Sequence, residues 1–477
     1  DEFRIFQDTR LRYTQSSSGA LVPNEVLAYN TPLTQETHIK NIAAFVQDRI
    51  TYPRVTLNLG LRYAIYDGYL PEQEGGGGRW FPRVTYPKID PGFNWHSFAP
   101  RIGVVWKVTE DAKTVAKASY SQYYEHMYTT LFADVVNPNI IRTTGVVTYP
   151  WFGDLNNNGI VDDNEIGPAS SRFTPTANSI ASDIKEPRTD EVTLGFQREL
   201  ISNLAVSVGW VQRWYTHNYS DVNVGIPTTA YIAHPFADAG PDNITGTGDD
   251  GTTVLYDVAA AFVGKDAFRR QTVDGTTRYK GVELTVNKRM SNHWQLLGSY
   301  VWSRYDGAIM FGDGRQVEDP TNPNLASDAN RLGRNATDQP HSFKVIGAYE
   351  APWGINVGLN LQMLSGLPYD RQFRRTLTQG STTVRAEQRG TYRADTLRLF
   401  SLKADKLFEL HRHARISVFG EFHNLFNTNA GQGFDTLTQA FASEAAFHAA
   451  QATTAYFGRV NTIITPRIVK FGVRFGF

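Results

Sequence analysis

The end of the chain constrains the possible fold more than any other stretch. From Pro466 to Phe477, large apolar residues alternate with residues that are mostly glycine or cationic. One set is Val469, Phe471, Val473, Phe475 and Phe477, and the other is Ile468, Lys470, Gly472, Arg474 and Gly476. A two-residue period predicts a strand whose two faces differ, and a tilted strand of about ten residues crosses a bilayer. This segment therefore predicts a wall with lipid on one side and water on the other.

The same alternation recurs along most of the chain, most clearly over residues 55–65, 102–108, 204–210 and 355–363. Such repetition favours an all-β fold, a transmembrane antiparallel up-and-down β-barrel, over a soluble sandwich. On this interpretation the lipid side carries Val55, Leu57, Leu59, Phe471, Val473 and Phe475. The other face is polar and largely basic: Arg62, Arg101, Lys107, Lys117, Arg213, Lys344, Arg398, Arg415, Lys470 and Arg474, with Glu191, Glu199, Glu283 and Glu421 among them. That excess of cations would attract an anionic solute unless acidic partners in the lumen neutralise it.

Composition removes several other classes of protein. Mean hydropathy is −0.37, which does not oppose a barrel, because half of each barrel strand is polar. Lys plus Arg and Asp plus Glu both number 47, so no net charge favours a nucleic-acid partner, and the absence of cysteine excludes disulfides and thiolate metal sites. No G-x-S-x-G or H-E-x-x-H motif is present, and His411, His413 and His423 have no catalytic context. We therefore do not expect an enzyme.

Connection lengths predict how the barrel is oriented. Tight turns are expected near Tyr52-Pro53, 110–112, 201–203, 291–292, 352–354 and 411–413. Long connections are expected at 71–94, 128–185, 226–275, 310–338, 374–394 and 429–459. Short periplasmic turns that alternate with long external loops are typical of bacterial outer-membrane barrels. The pattern predicts about fourteen strands, the first near Phe3–Tyr13.

One long loop matches the twelve-residue calcium-binding loop position by position. Asp154, Asn156 and Asn158 would supply oxygens, Gly159 the sharp turn, Ile160 its backbone carbonyl with its side chain inward, and Asp162 and Glu165 the remaining ligands. We predict a structural Ca²⁺ site in this external loop. The alternative is a polar, solvated turn.

A second acidic loop, 238–251, contains a G-x-G-x-x-G match at Gly246, Gly248 and Gly251. A dinucleotide site would need a helix after it, whereas the β-prone Thr252-Thr253-Val254-Leu255 follows. We reject that site. A second calcium site among Asp238, Asp242, Asp249 and Asp250 has no supporting spacing, and an acidic loop is the simpler interpretation.

Three motifs together resemble a known family. Ala44-Phe45-Val46-Gln47-Asp48 before the run from Val55 to Tyr63, the hairpin from Phe98-Ala99-Pro100-Arg101 to Tyr120, and Asn424-Leu425-Phe426-Asn427 are similar to TonB-dependent outer-membrane receptors, notably the Oar-like branch. The final Phe477 also resembles the C-terminal signal of outer-membrane barrels.

This resemblance implies active uptake of a large or scarce solute across the outer membrane of a Gram-negative-type bacterium. It further implies that residues 1–477 form the C-terminal portion of a barrel of about twenty-two strands. The plug, the TonB contact and the remaining strands would then lie before Asp1 or in a second chain. The alternatives are a passive porin-like channel of about fourteen strands and a calcium-stiffened adhesin or structural barrel.

Overall fold

The alternating segments form one continuous antiparallel sheet. The computed structural model describes residues 2–5, 8–15, 19–139, 146–172, 178–308, 310–311, 315–325, 332–409 and 415–476. Within these residues the long strands are β1 (His38–Thr51), β2 (Val55–Tyr69), β3 (Trp95–Lys107), β4 (Thr114–Tyr124), β5 (Arg188–Ile201), β6 (Leu204–Thr216), β7 (Thr277–Ser291), β8 (Trp294–Ala308), β9 (His341–Ala351), β10 (Ile355–Leu364), β11 (Leu397–Glu409), β12 (Arg415–His423) and β13 (Ile468–Gly476). Each pairs with its neighbours in chain order, and the short strand Leu332–Arg334 also pairs with β8, which gives a sheet of fourteen strands. The up-and-down topology is as predicted.

Tight turns join the strands at one end of the sheet. Asn292 and His293, between β7 and β8, both have positive φ angles, 53° and 66°, and this backbone matches the twist of a two-residue hairpin. Asn203 (φ 68°) and Trp353 (φ 64°) lie in two other predicted turns. The turn predicted at His411–His413 lies outside the described residues. The opposite end carries long connections, as expected.

Register separates the two faces of the sheet. Phe471 lies opposite Gly420 and Val473 opposite Val418, while Leu57 lies opposite Val104. This face is not a core: Phe471 is 78% exposed and Val473 54%. Val55 and Leu57 are half-buried, while Leu59 and Phe475 are exposed. The six residues predicted to face lipid therefore lie on the outer surface; Phe477 is not among the described residues.

The other face is the inner one, because the long connections pack over it. Ala64, Tyr66 and Trp95 point to this face at the long-loop end and are buried against Leu131 and Phe132 of the helix Thr130–Val136. This cluster is the largest apolar core among the described residues. No helix within them is long and apolar enough to cross a membrane.

One predicted strand is misplaced. Thr9–Gln15 pairs with Leu21–Ala28, and Glu2–Ile5 pairs with Leu33–Glu36, so neither joins the barrel sheet, which begins at His38. The physical reason is composition. The more apolar face of the strand Thr9–Gln15 has only Leu11 and Tyr13 to contact lipid, and the opposite face carries Arg10 and Arg12.

The long connections contain short elements of their own. The remaining strands are Gln73–Gly75, Val84–Tyr86, Val147–Pro150, Ser171–Arg172, Ser179–Ile180, Tyr219–Asn223, Tyr231–Asp238, Gly251–Val258, Phe268–Thr272, Met310–Phe311, Gln316–Val317, Pro368–Tyr369, Gln372–Leu377, Gly380–Arg385, Tyr392–Arg393, Gly431–Phe434 and Val460–Ile463. Within the described residues a second α-helix spans Glu444–Ala450, and single 3-10 turns lie at Asp163–Glu165, Thr228–Ala230 and Ala260–Phe262, whereas the 3-10 turn Pro352–Gly354 is one of the tight turns at the opposite end. The elements in the long connections lie at the long-loop end of the sheet, and together they are called the loop cap below.

Candidate functional site: the inner wall and its loop cap

The inner wall carries nearly all the charged residues predicted for it. By register, Arg62, Arg101, Lys117, Arg213, Lys344 and Lys470 share the inner face with Glu191, Glu283 and Glu421. Arg398 is an exception: it lies opposite Met363, on the lipid side. Arg398 was expected on the inner face because the alternation is ambiguous here. Leu397, Leu399 and Phe400 place apolar residues on both faces of the strand, so the pattern does not identify the inner face.

Acidic partners neutralise only part of this basic wall. Arg213 Nε pairs with Glu191, and Lys403 Nζ lies 3.0 Å from Glu421 Oε1. Among the described residues, the lumenal cations Arg62, Lys117, Lys344 and Lys470 have no carboxylate within ion-pair distance. The inner face therefore keeps an excess of positive charge.

A polar groove of about 590 Å³ runs along the inner faces of β1 to β4. Arg49 and Arg101 line it, together with one acid, Asp48, and the polar residues Gln47, Asn58, Ser119 and Ser121. The guanidinium of Arg101 lies over the Tyr123 ring at 4.9 Å, which holds its charge along the wall. Gly60 and Gly103 line the same groove and leave room in it. Guanidinium and amide donors in such a groove suit an anionic or hydroxyl-rich solute.

Buried ion pairs hold the loop cap together. Arg371, 5% exposed, donates to Asp238 at 2.6 Å and to Glu387 at 2.7 Å. Burial opposes ionisation of Asp238, but hydrogen bonds from Arg371 and Thr253 outweigh it and lower its pKa. Because 133 residues separate the two partners, this pair ties one long connection to another.

A second set of pairs extends the network. Arg385 reaches both Glu318, at 2.6 Å, and Asp370, at 2.9 Å. Asp370 also accepts from Arg389 at 2.9 Å. The sequence does not predict this network. The only signal is the density of arginines between 371 and 393, which does not identify their partners.

Glu186 lies at the rim where the cap meets the wall. Both of its carboxylate oxygens lie within hydrogen-bond distance of Ser97 Oγ, at 2.7 and 2.6 Å, and its side chain is nearly inaccessible. Burial raises the pKa of Glu186 to about 7, the Ser97 hydrogen bond opposes the rise, and Glu125 adds to it. The carboxyl group can therefore change its charge near neutral pH.

The calcium-loop residues form a compact hydrogen-bonded turn. Asp154 accepts from the backbone N–H of Asn158 at 3.1 Å and of Gly159 at 2.8 Å, and Gly159 has φ +72°. The amides of Asn156 and Asn158 both donate to Asp162 Oδ2, at 2.7 and 2.8 Å. The turn predicted at Gly159 is present.

Glu165 closes the turn from beneath. It is fully buried and accepts from the backbone N–H of Leu155 at 2.7 Å and of Asp162 at 3.0 Å. The side chain of Ile160 is 60% exposed, so the expectation that it faces inward is wrong. Among the described residues no three carboxylate or imidazole groups are close enough to form a metal cluster by themselves. A calcium site in this loop would therefore have to use the Asn side chains and a backbone carbonyl as well as the carboxylates.

The second acidic loop connects the hairpin strands Tyr231–Asp238 and Gly251–Val258. Asp249 accepts from the N–H of Asp242 at 3.1 Å, and Asp250 from the N–H of Gly246 at 2.6 Å. Asp238 is engaged by Arg371, and a strand, not a helix, begins at Gly251. The helix that a dinucleotide site would need therefore does not follow this loop.

Comparison with known proteins places this wall in a family. A family model described as an outer membrane beta barrel domain matches residues 20–367. The chain belongs to this outer-membrane β-barrel family. The TonB-dependent transporter Oar of Myxococcus xanthus is 25% identical over 375 residues, which cover 71% of this chain and 31% of that relative.

Solved structures of outer-membrane receptors and transporters are also similar to this chain. They include the siderophore receptor PiuA from Acinetobacter baumannii (11% identity, 96% of this chain and 44% of that one, TM-score 0.44) and the outer membrane transporter YddB from Escherichia coli (10% identity, 92% and 54%, TM-score 0.48). The chain spans about a third of the length of the curated relative and about half of these receptors.

The barrel therefore lies in the outer membrane of a Gram-negative-type bacterium. The proteins that it matches are transporters and receptors rather than enzymes.

Proposed function

We propose that this barrel wall serves TonB-dependent active uptake of a large or scarce solute, and that the solute is anionic or carries anionic groups. The similarity to the Oar transporter supports energised uptake. The observation that carries the solute class is the inner wall, where lumenal cations outnumber their acidic partners and line a polar groove. In a narrow lumen such a charge excess concentrates anions by focusing the electric field.

The proposal includes segments that cover the two edges of the sheet. Within the described residues β1 pairs only with β2, and β13 only with β12. A backbone edge left unpaired in hydrocarbon costs several kcal/mol per polar group. Further strands, together with a plug contacted by TonB, would come from another part of a longer protein or from a second chain.

Uptake by cells tests the energised step. The full-length protein is expressed in an outer membrane without porins, and entry of a labelled anionic solute is followed with and without TonB. We expect uptake to stop when TonB is deleted or the proton gradient is collapsed. Uptake that continues unchanged would replace the proposal with a passive porin-like channel.

A neutral solute of matched size tests the charge preference. Replacing Arg49 and Arg101 by Gln should reduce entry of the anionic solute several-fold and leave the neutral one nearly unchanged. An equal loss of both solutes would remove the electrostatic part of the proposal.

We also propose that the loop 154–165 binds one structural Ca²⁺ through Asp154, Asn156, Asn158, the Ile160 carbonyl, Asp162 and Glu165. The supporting observation is that the five side chains already belong to one hydrogen-bonded turn whose oxygens are hard ligands. Calorimetry on the intact protein should show binding with a Kd of about 10⁻⁴ to 10⁻³ M. The absence of a calcium-dependent heat would leave the loop as a polar turn, and the same outcome would remove the calcium-stiffened adhesin as an alternative.

A further inference from the structure

The outer surface of the barrel carries a cluster of cations at the long-loop end of β7 and β8. We infer that this cluster binds the phosphorylated headgroup of an outer-leaflet lipid. The cluster, here called the rim patch, consists of Arg278 and Lys280 on β7, Arg304 on β8 and Arg334 on the adjoining short strand. The inference concerns the lipid side of the wall, so it does not depend on what passes through the lumen.

Register places the rim patch on the lipid side. Lys280 lies opposite Gln212 and Arg304, and Arg278 lies opposite Trp214 and Asp306. Two residues further toward the tight turns, Val282 lies opposite Trp210 and Trp302 on the same face. Since alternate residues of a strand share a face, the cations continue the lipid-facing row upward.

The patch begins where the apolar band ends. Below it are Val282, Leu284 and Val286 on β7, and the ring of Trp302, 41% exposed, lies beside Val282. Exposed Trp side chains mark the boundary between the hydrocarbon and the headgroups. One pleat along a strand is about 6.6 Å, so Lys280 and Arg304 lie at the depth of lipid headgroups.

Two of the cations lack compensation. Arg304 donates to Asp306 at 2.6 Å, and Arg334 lies 4.0 Å from the same carboxylate and 3.9 Å from that of Asp338. Within the described residues no carboxylate lies within ion-pair distance of Arg278 or Lys280, and both are exposed. Asp274 also borders the site, but it forms no ion pair there. The patch therefore keeps a local positive charge, although the whole chain is neutral.

The patch also has room for a headgroup. A cavity of about 540 Å³ lies between Arg278, Arg304 and Arg334, with Gly275, Gly307 and Gly333 in its lining. Guanidinium groups present paired N–H donors that match phosphate oxygens. The apolar row directly below would accommodate the acyl chains of the same lipid, which a free phosphate ion could not use.

Other cations of the outer face do not form such a site. On β5, Arg188 is paired with Asp190 at 2.9 Å. On β11, Arg398 is exposed, and no further cation lies opposite it on β10. These two residues provide a matched control of equal charge.

Binding of diphosphoryl lipid A to the full-length protein in detergent tests the inference. We expect the double variant Arg278→Ala/Lys280→Ala to bind about 25-fold more weakly, since each of the two cations near a charged lipid surface contributes about a factor of five. The control Arg188→Ala/Arg398→Ala should bind like the wild type, and Arg278→Lys/Lys280→Arg should retain most of the affinity. Heat-modifiable migration in gels checks that each variant is folded.

Two further probes separate the possible sources of phosphate. Lipid A without its phosphates should bind the wild type only weakly. Its affinity should not exceed that of the phosphorylated lipid for the double alanine variant. Inorganic phosphate at millimolar concentration should not displace the lipid. The inference is overturned if the double alanine variant or the dephosphorylated lipid binds as tightly as the native pair, or if free phosphate displaces the lipid completely.

Discussion

The strand wall and the loop cap are stabilised in different ways. In the wall, backbone hydrogen bonds connect each strand to the next, and side chains only have to match the medium that they face. In the cap, short strands are joined by buried ion pairs between distant residues, such as Arg371 with Asp238. The wall therefore depends on a repeated pattern, whereas the cap depends on individual pairs. Substitutions should distinguish the two regions.

The largest effect is expected from breaking the central pair of the cap. Arg371→Ala leaves Asp238 and Glu387 without their cation, and removing one partner of a buried pair typically costs about 3–5 kcal/mol. The cost should appear as local opening, measured as loss of hydrogen-exchange protection over 231–258 and 366–395. Strands β1–β4 should keep their protection.

The control for this prediction is Arg374→Ala, which removes an exposed arginine from the same hairpin. The double variant Asp238→Leu/Arg371→Met should recover part of the loss, because no buried charge remains at Asp238. Equal protection in Arg371→Ala and Arg374→Ala would show that the pair does not hold the cap.

The wall should instead discriminate between its two faces. Leu284→Arg places a charge in the lipid-facing row and should lower the free energy of unfolding by about 2–4 kcal/mol. Thr285→Arg, one residue along on the inner face, should change it by less than about 0.5 kcal/mol. Denaturant titration in lipid vesicles measures both variants. Equal losses would mean that the face assignment on β7 is wrong.

The boundary between wall and cap should respond to pH. The pKa of Glu186 is raised to about 7 in the folded protein, so the folded state holds a proton more tightly than the unfolded chain. Its contribution is therefore fully present below the ordinary glutamate pKa and is lost as the pH rises through 7. Hydrogen exchange near Ser97 and Glu186 should show that the local free energy of opening falls by about 1–2 kcal/mol between pH 5 and pH 8.

Glu186→Gln should remove this dependence, since a neutral amide retains an acceptor for Ser97 at every pH. Glu72→Gln, at an exposed glutamate, should leave it intact. A pH profile that is the same in Glu186→Gln and the wild type would assign the effect to another group.

The two regions also differ in how far their structure could be predicted from sequence. The wall could be predicted because lipid and water impose a period of two, and because residues such as Asn292 and Asn203 adopt the positive φ that its turns need. The predictions that were wrong are those where the pattern is weak. Arg398 lies between apolar residues of both faces, and Thr9–Gln15 has no complete apolar face.

The cap could not be predicted in the same way. Asp238 and Arg371 are separated by 133 residues, and nothing local to either residue identifies the other. Glu186 has no signal at all, since its burial depends on Trp95, Ser97 and the loop that folds over them. The calcium-type loop is the exception, because its ligand spacing lies within twelve consecutive residues. The prediction of its turn at Gly159 was correct.

That loop gives the smallest expected effect, since external calcium at one to ten times a weak Kd stabilises a site by only about 0.4–1.4 kcal/mol. Chelation should make the segment 146–172 more sensitive to protease while the wall stays folded. Glu165→Gln should abolish the difference between calcium and chelator, because it removes the ligand that can supply two oxygens. Asp163→Asn, at an exposed acid of the same loop outside the ligand set, should preserve the difference.

Glu165 also accepts two backbone N–H groups, so Glu165→Gln loosens the turn even without calcium. The informative quantity is therefore the calcium-dependent change in cleavage rate. If that change is absent in the wild type, the loop is held by its own hydrogen bonds, and the cap owes its order to ion pairs such as Arg371 with Asp238.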